Sequence, residues 1–179
     1  ITALGPEAVR RYYLWLLEGP HDAALMGAWR DGVLVGFCAA GVFRGAMNGF
    51  LRANRRYLAL HVLTHPWLAL SPLVRDRIRS AARITVKFSR RRQQRTPAPP
   101  PSFGVLSIAT DPRAPSTGAG RALMAEAEQR AKDAGFERMV LTVHPSNERA
   151  VRFYEQLGWQ RSGDGGDWTG AMQRDLVRR

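Results

Sequence analysis

The feature of this chain that most constrains its fold is a regular alternation of strand-like and helix-like stretches after Ser102. Apolar runs typical of strands are separated by stretches in which apolar residues recur every three or four positions, as on one face of a helix. Strands are predicted at 103–110, 138–143, 159–161 and 168–177, and helices are predicted from Gly118 and from about Asn147. This order of strand, helix, strand, helix and strand predicts an α/β fold.

The two predicted helices have recognisable ends and inner faces. Gly135 suits the left-handed residue that commonly follows a helix, and Ser146 and Asn147 are both favoured N-cap residues. The inward positions of the first helix are predicted to be Leu123, Met124, Ala127, Ala131 and Ala134. Those of the second are Ala150, Val151, Tyr154 and Leu157.

The residues before Arg44 predict a helix followed by a hairpin. An amphipathic pattern covers 6–17, and two apolar runs at 24–29 and 33–42 are joined by Arg30-Asp31-Gly32. An Asp-Gly pair between two apolar runs is a strong hairpin signal, because glycine readily adopts the positive φ of such a turn. The second run is almost entirely apolar, which predicts a strand covered on both faces.

The excess positive charge of the chain lies in one internal segment. The chain holds 27 Lys and Arg against 15 Asp and Glu, a net charge of +12. Residues 44–95 contain 13 of the basic residues and a single acid, Asp76, so this segment carries the entire excess. Within it, 57–74 has no charged side chain, while 96–101 is mostly proline and predicts an extended linker. Its two prolines and two histidines make 57–74 a poor membrane span.

The cysteine content limits the redox chemistry of the chain. A single cysteine, Cys38, excludes an internal disulfide and a thiolate metal cluster. No signal peptide is recognisable near Ile1, and we expect a cytoplasmic protein.

A glycine pair stands where the first long strand gives way to a helix, in Thr117-Gly118-Ala119-Gly120-Arg121. Backbone amides at such a helix start can bind a phosphate, although a glycine pair also allows simple tight packing. Downstream come Asn147 and then Tyr154, followed by Leu157-Gly158-Trp159. With Ile108-Ala109-Thr110-Asp111-Pro112, these residues resemble the GNAT superfamily of acyl-CoA-dependent N-acetyltransferases. The resemblance is specific over 103–159, looser over 24–42 and absent over 44–101.

The resemblance implies a GNAT fold, in which helices flank a central, mixed, mostly antiparallel sheet that is splayed at the acetyl-CoA site. It implies one domain over 1–179 with a basic insertion at about 44–101. It also implies a transfer of acetyl from acetyl-CoA to a primary amine by direct attack on the thioester, with no metal. The implied pantetheine-binding residues are Ile108, Ala109 and Thr110. The implied pyrophosphate-binding residues are Ser116, Thr117, Gly118, Ala119, Gly120 and Arg121. By the same resemblance, Asn147 contacts the cofactor arm and Tyr154 protonates the departing thiolate.

Two departures from the family pattern leave alternatives open. Pro115 stands where relatives usually have Arg or Gln, which predicts weaker pyrophosphate binding or a catalytically degenerate member. No carboxylate lies on the strand that usually supplies the general base, so Asp111, His61, His65, a water relay and spontaneous loss of the amine proton are all candidates. His144 is predicted to form a turn. Tyr154 lies on an apolar helix face and packing alone could explain it.

The acceptor and partners are only broadly predicted. An apolar stretch flanked by arginines favours peripheral contact with the inner face of an anionic membrane through 44–95. The insertion also resembles those of GNAT proteins associated with envelope polysaccharide biosynthesis, and that resemblance implies an amino-sugar or envelope-related amine as the acceptor. The alternatives are N-terminal acetylation of a ribosomal protein or another peptide, and a non-catalytic module that binds membranes or nucleic acid. The simplest interpretation of the insertion is a solvated segment that covers the acceptor cleft. A homodimer through the last strands is compatible with the sequence pattern.

Overall fold

The computed structural model describes residues 4–64, 102–113, 118–163 and 168–176. The chain divides into two compact units, one formed by Ile1–Trp15 with Gly45–Pro100 and the other by Leu16–Arg44 with Pro101–Arg179. Most of the basic segment, including His65, the Arg-rich run and the proline linker, lies outside the described residues. The expectation of a single domain with an insertion at about 44–101 stays a prediction.

The described residues form five helices and six strands. The helices are α1 (Pro6–Glu18), α2 (Ala46–Ala53), α3 (Arg55–Thr64), α4 (Ala119–Asp133) and α5 (Glu148–Gln156). The strands are β1 (Ala23–Arg30), β2 (Val33–Gly41), β3 (Phe103–Thr110), β4 (Arg138–Thr142), β5 (Gln160–Arg161) and β6 (Ala171–Asp175). The predicted α/β order is confirmed, and α1 and β3 have almost the predicted bounds.

All six strands form one sheet in the order β1-β2-β3-β4-β6-β5. Every neighbouring pair is antiparallel except β3 and β4, which are parallel. The parallel pairing covers only three residues of β3, from Phe103 to Val105. The antiparallel pairing of β3 with β2 continues to Thr110. β3 therefore leaves β4 partway along its length, which opens the sheet beside its last five residues.

The predicted hairpin joins β1 and β2. Asp31 and Gly32 both have positive φ, 50° and 76°, as a two-residue turn of this hand requires. The expectation that β2 is covered on both faces is correct only from Val35 onward. Val33 and Leu34 are exposed, because they lie at the hairpin tip, beyond the helices that cover the sheet.

The core of the second unit lies between the sheet and α4. Leu123, Met124, Ala127 and Ala131 are buried, but the predicted inward residue Ala134 is exposed. The helix ends at Asp133, and Gly135 turns the chain with a φ of 77°. The prediction from helical spacing therefore includes one residue, Ala134, that follows the end of the helix.

The end of the chain is less regular than its sequence predicts. The last strand covers only 171–175 of the predicted 168–177. Trp168 instead donates its indole N–H to the carbonyl of Ala171 at 2.7 Å and lies under the guanidinium of Arg161. These contacts fix the approach to β6.

The first unit packs around aromatic side chains. Tyr12 and Phe50 are in edge contact at 5.3 Å between ring centroids, and Trp15 donates to the carbonyl of Ala46. The guanidinium of Arg11 lies 4.3 Å from the centre of the Tyr57 ring. Among the residues that can be described, no helix is both long and apolar enough to cross a membrane.

Candidate active site

A cavity of about 560 Å³ lies in the second unit, where β3 has left β4. Its walls come from the end of β3 and from the N-terminal turns of α4 and α5. Of the residues singled out from the sequence, it is lined by Ile108, Ala109, Thr110, Gly118, Ala119, Gly120, Arg121, Asn147 and Tyr154. Ser116 and Thr117, like Pro115, lie outside the described residues.

The β3 wall offers main-chain groups to the cavity. On one side, Ile108, Ala109 and Thr110 pair with Cys38, Phe37 and Gly36 of β2. On the other side, the described ladder between β3 and β4 stops at Val105. The backbone edge of residues 106–110 can therefore bind an extended, amide-containing ligand as an additional strand would bind.

The two glycines at the start of α4 are required for different structural reasons. Gly118 is the N-cap, with a φ of 72°, and a Cβ atom there would meet nothing within 4 Å. Gly120 is helical, and a Cβ atom there would lie 3.3 Å from Phe153 and 3.7 Å from Thr110. Gly118 is thus required by backbone conformation and Gly120 by close packing of α4 against α5.

The N-terminus of α4 is suited to a negatively charged group. No side chain caps it, and its first turn contains no acidic residue. A helix start attracts anions because its N–H groups and dipole are positive there. Arg121 adds a positive side chain, which is exposed and lies 3.4 Å from the amide oxygen of Gln156 on α5.

Asn147 begins α5 as predicted. Its side-chain oxygen accepts a hydrogen bond from the backbone N–H of Ala150 at 3.2 Å. The backbone N–H of Asn147 in turn donates to the carbonyl of His144 at 2.8 Å. The ring of His144 bonds Ser146, so its predicted role in the turn is confirmed.

Tyr154 lines the cavity and has a ring that is packed against other aromatic side chains. The residue is only 8% exposed, and its ring contacts those of Phe153 and Trp159. No hydrogen bond joins its hydroxyl to the described residues. Burial, with a smaller contribution from nearby Cys38, raises the pKa of Tyr154 above its ordinary value of 10.0. The phenol therefore stays protonated at neutral pH.

Comparison with known proteins identifies this arrangement. Residues 82–159, which include the glycine pair, Asn147 and Tyr154, match the Acetyltransferase (GNAT) family. This stretch of the chain is a GNAT acetyltransferase domain by that match. The predicted enzyme class, an acetyl-CoA-dependent acyltransferase, is thereby confirmed.

Solved structures with the same fold differ widely from this acetyltransferase in sequence. The PaiA N-acetyltransferase of Thermoplasma acidophilum, determined with coenzyme A, is 16% identical, with a TM-score of 0.51 over 93% of this chain and 68% of its own. An agmatine N-acetyltransferase is 18% identical, with a TM-score of 0.56 over 98% of this chain and 86% of its own. They confirm the predicted GNAT fold. No curated protein sequence matches the chain.

Of the candidate general bases, Asp111 lines the cavity, His61 belongs to the other unit and His65 lies outside the described residues. Asp111 accepts hydrogen bonds from the backbone and guanidinium of Arg113, which hold the pKa of its carboxyl below the usual range. His61 lies on α3 in the other unit and stacks on Tyr57. Within the described ranges, no cluster of three or more His, Cys, Asp and Glu could hold a metal ion.

Sequence reasoning missed several residues of the cavity. Arg149 and Phe153 are not singled out by the sequence analysis, and Ala150 is predicted there only as an inward residue of the helix. Arg149, Ala150 and Phe153 lie on α5, where Ala150 is four positions from Tyr154 and Phe153 is four positions from Arg149, so each pair consists of neighbours on the helix surface. The spacing from Tyr154 would have indicated Ala150, but only the fold shows that this face meets the start of α4.

Proposed function

We propose that this acetyltransferase moves an acetyl group from acetyl-CoA to a primary amine by direct attack, with Tyr154 as the general acid. One observation carries the proposal: Tyr154, the end of β3 that has left β4 and the first turn of α4 line the same cavity. A thioester with an extended amide arm and a diphosphate needs these three kinds of group together.

Each part of the cavity then has a binding role. The main chain of Ile108, Ala109 and Thr110 holds the pantetheine arm, and the turn from Gly118 to Arg121 holds the diphosphate. Ser116 and Thr117 are assigned to the diphosphate by the family pattern alone. Asn147 uses its oxygen as a helix cap, so its amide N–H groups are the ones that reach the cofactor arm.

The chemistry follows from the protonation state of Tyr154. A neutral amine attacks the thioester carbon, so that a C–N bond forms and the C–S bond breaks. The Tyr154 hydroxyl gives its proton to the departing sulfur and is reprotonated from solvent. Its raised pKa keeps that proton available at neutral pH. The amine loses its proton to water, since the one described carboxylate at the cavity is engaged by Arg113.

The acceptor is a small or peptide amine. The agmatine N-acetyltransferase with the same fold is named for such a small amine substrate. The basic segment favours an amino-sugar or envelope-related amine, and peptide N-termini are the alternative.

Replacement of Tyr154 by Phe tests the mechanism. We expect kcat with a reactive amine to fall by about 100-fold or more, the usual contribution of a general acid. The affinity for acetyl-CoA, measured by calorimetry, should change by less than about threefold, because loss of one hydroxyl leaves the other binding groups in place. The variant should fold normally, since the hydroxyl makes no hydrogen bond to described residues.

Tyr12→Phe is the matched control, because Tyr12 is also 8% exposed but lies in the other unit. It should retain wild-type turnover. Unchanged kcat in Tyr154→Phe would show that Tyr154 only packs. Absence of acetyl-CoA binding by the wild-type chain would refute the proposed function itself.

A second function, contact with an anionic membrane surface, is favoured by the exposed face of α3. Leu60 and Leu63 are 63% and 77% exposed, and Arg56 lies one turn before Leu60 on the same face. Residues 44–64 contain four arginines and no acid. Exposed leucines flanked by arginines are typical of helices that lie at an anionic lipid surface.

A further inference from the structure

The charges that line the cavity are unevenly distributed. Arg121 of α4 and Arg149 of α5 are both exposed and both line it. Among the described lining residues the only acid is Asp111, whose carboxylate forms an ion pair with Arg113 at 3.0 Å. The cavity is therefore positive on two sides, each formed by the first turn of a different helix.

Arg149 has fewer side-chain partners than Arg121. Arg121 reaches Gln156 and directly follows the glycines at the start of α4. Arg149 makes no hydrogen bond or ion pair with any residue in the described ranges. Arg152, on the next turn of the same helix, pairs with Glu148 at 3.2 Å. Of these two arginines of α5, Arg149 is the one that lines the cavity.

The position of Arg149 also has an electrostatic cost. It is the second residue of α5, where the helix dipole is positive and disfavours a cation. An anion bound beside it removes that cost. A planar guanidinium is well shaped for phosphate oxygens, because two N–H groups can donate in parallel.

Coenzyme A carries its phosphates in two places, a diphosphate and a separate phosphate on the 3′ oxygen of the ribose. The start of α4 is assigned to the diphosphate, which leaves the 3′-phosphate to another positive group of the cavity. We propose that Arg149 binds the ribose 3′-phosphate and makes this enzyme prefer coenzyme A to 3′-dephospho-coenzyme A. The inference rests on the proposed function, because it assumes that the diphosphate lies at Gly118–Arg121.

Calorimetry with coenzyme A and with 3′-dephospho-coenzyme A tests the proposal on the full chain. We expect the wild type to bind coenzyme A roughly tenfold more tightly, as one exposed charge-assisted contact allows. Arg149→Gln should reduce that ratio to about one by weakening only coenzyme A binding. Arg152→Gln, the matched control on the same helix, should keep the wild-type ratio.

The remaining outcomes separate this proposal from the proposed function. If the wild type binds both ligands equally, or if Arg149→Gln still prefers coenzyme A to 3′-dephospho-coenzyme A, Arg149 does not bind the 3′-phosphate. If Arg149→Gln weakens both ligands equally, Arg149 acts elsewhere on the cofactor and the proposal is wrong. If the wild type binds neither ligand, the proposed function fails first and this inference fails with it.

Discussion

At the scale of single residues, the surroundings of Tyr154 include a buried cysteine. Cys38 of β2 is fully buried and belongs to the same apolar core as Tyr154. Burial raises the pKa of its thiol from 9.0 to about 11. The cysteine is thus an uncharged neighbour that keeps the surroundings of the tyrosine apolar, and its ionisation would oppose the packing of the core.

The pH dependence of stability should show this buried thiol. Between pH 9 and about 11 the unfolded chain loses the Cys38 proton while the folded chain retains it. The free energy of unfolding should therefore fall as pH rises through this window, by up to about 2–3 kcal/mol. Chemical denaturation of the wild type and of Cys38→Ala at several pH values measures the effect.

The comparison with Cys38→Ala is needed because Tyr12 and Tyr154 also have raised pKa values and titrate in the same direction. Their contribution should remain in the variant, while the part that begins near pH 9 disappears. Identical pH profiles of the two proteins would contradict the assignment.

At the scale of elements, α4 has similar glycines at its two ends, but only its first end lies at the cavity. Gly118 and Gly135 have φ values of 72° and 77°, and a Cβ atom at either would meet nothing within 4 Å. Only Gly118 lines the cavity. Substitution at Gly135 therefore measures the cost of a Cβ atom at a helix end alone. Substitution at Gly118 measures the same cost together with any effect on cofactor binding.

Alanine at each end of α4 tests that separation. Both Gly118→Ala and Gly135→Ala should lower the free energy of unfolding by about 1–2 kcal/mol, the cost of a left-handed residue with a Cβ atom. Gly118→Ala should also weaken acetyl-CoA binding by roughly tenfold, because its methyl group occupies the space proposed for the diphosphate.

Gly135→Ala should bind acetyl-CoA like the wild type, as measured by calorimetry. Equal affinity of the two variants would mean that the start of α4 does not approach the cofactor, whatever their stabilities.

At the scale of the whole molecule, the net charge of +12 is confined to residues 44–95, while the residues that line the cavity belong to the other unit. The described part of the basic segment presents leucines and arginines together on α3. Charge and exposed apolar area thus coincide outside the catalytic unit, as a separate surface-binding function requires.

Sedimentation with anionic and neutral vesicles tests this second function. The chain should sediment with anionic vesicles at low salt and be released at high salt, because the electrostatic part of the attraction is screened. Exchange of Leu60 and Leu63 for Ser should weaken binding by roughly tenfold. Leu25→Ser, an exposed leucine on β1, should have no effect. Failure to sediment with anionic vesicles at low salt would exclude the membrane contact.

Much of the catalytic unit could be predicted from local sequence patterns. The Asp31-Gly32 turn, the Asn147 cap and the strand at 103–110 were all located, because each depends on residues close together in the chain. Errors came at element ends, as at Ala134, where the helical spacing continues after the helix has stopped. The nine described residues proposed from the family pattern all line one cavity.

The sequence by itself determined the strand and helix order, the turn and cap residues and the family, since these depend on side-chain type and short-range spacing. Only the tertiary structure decided where β3 separates from β4, which arginine of α5 faces the cavity, and that Arg113 engages Asp111 through the backbone as well as the side chain. Those features depend on how distant segments pack, and the periodicity of one segment carries no information about its neighbour in space.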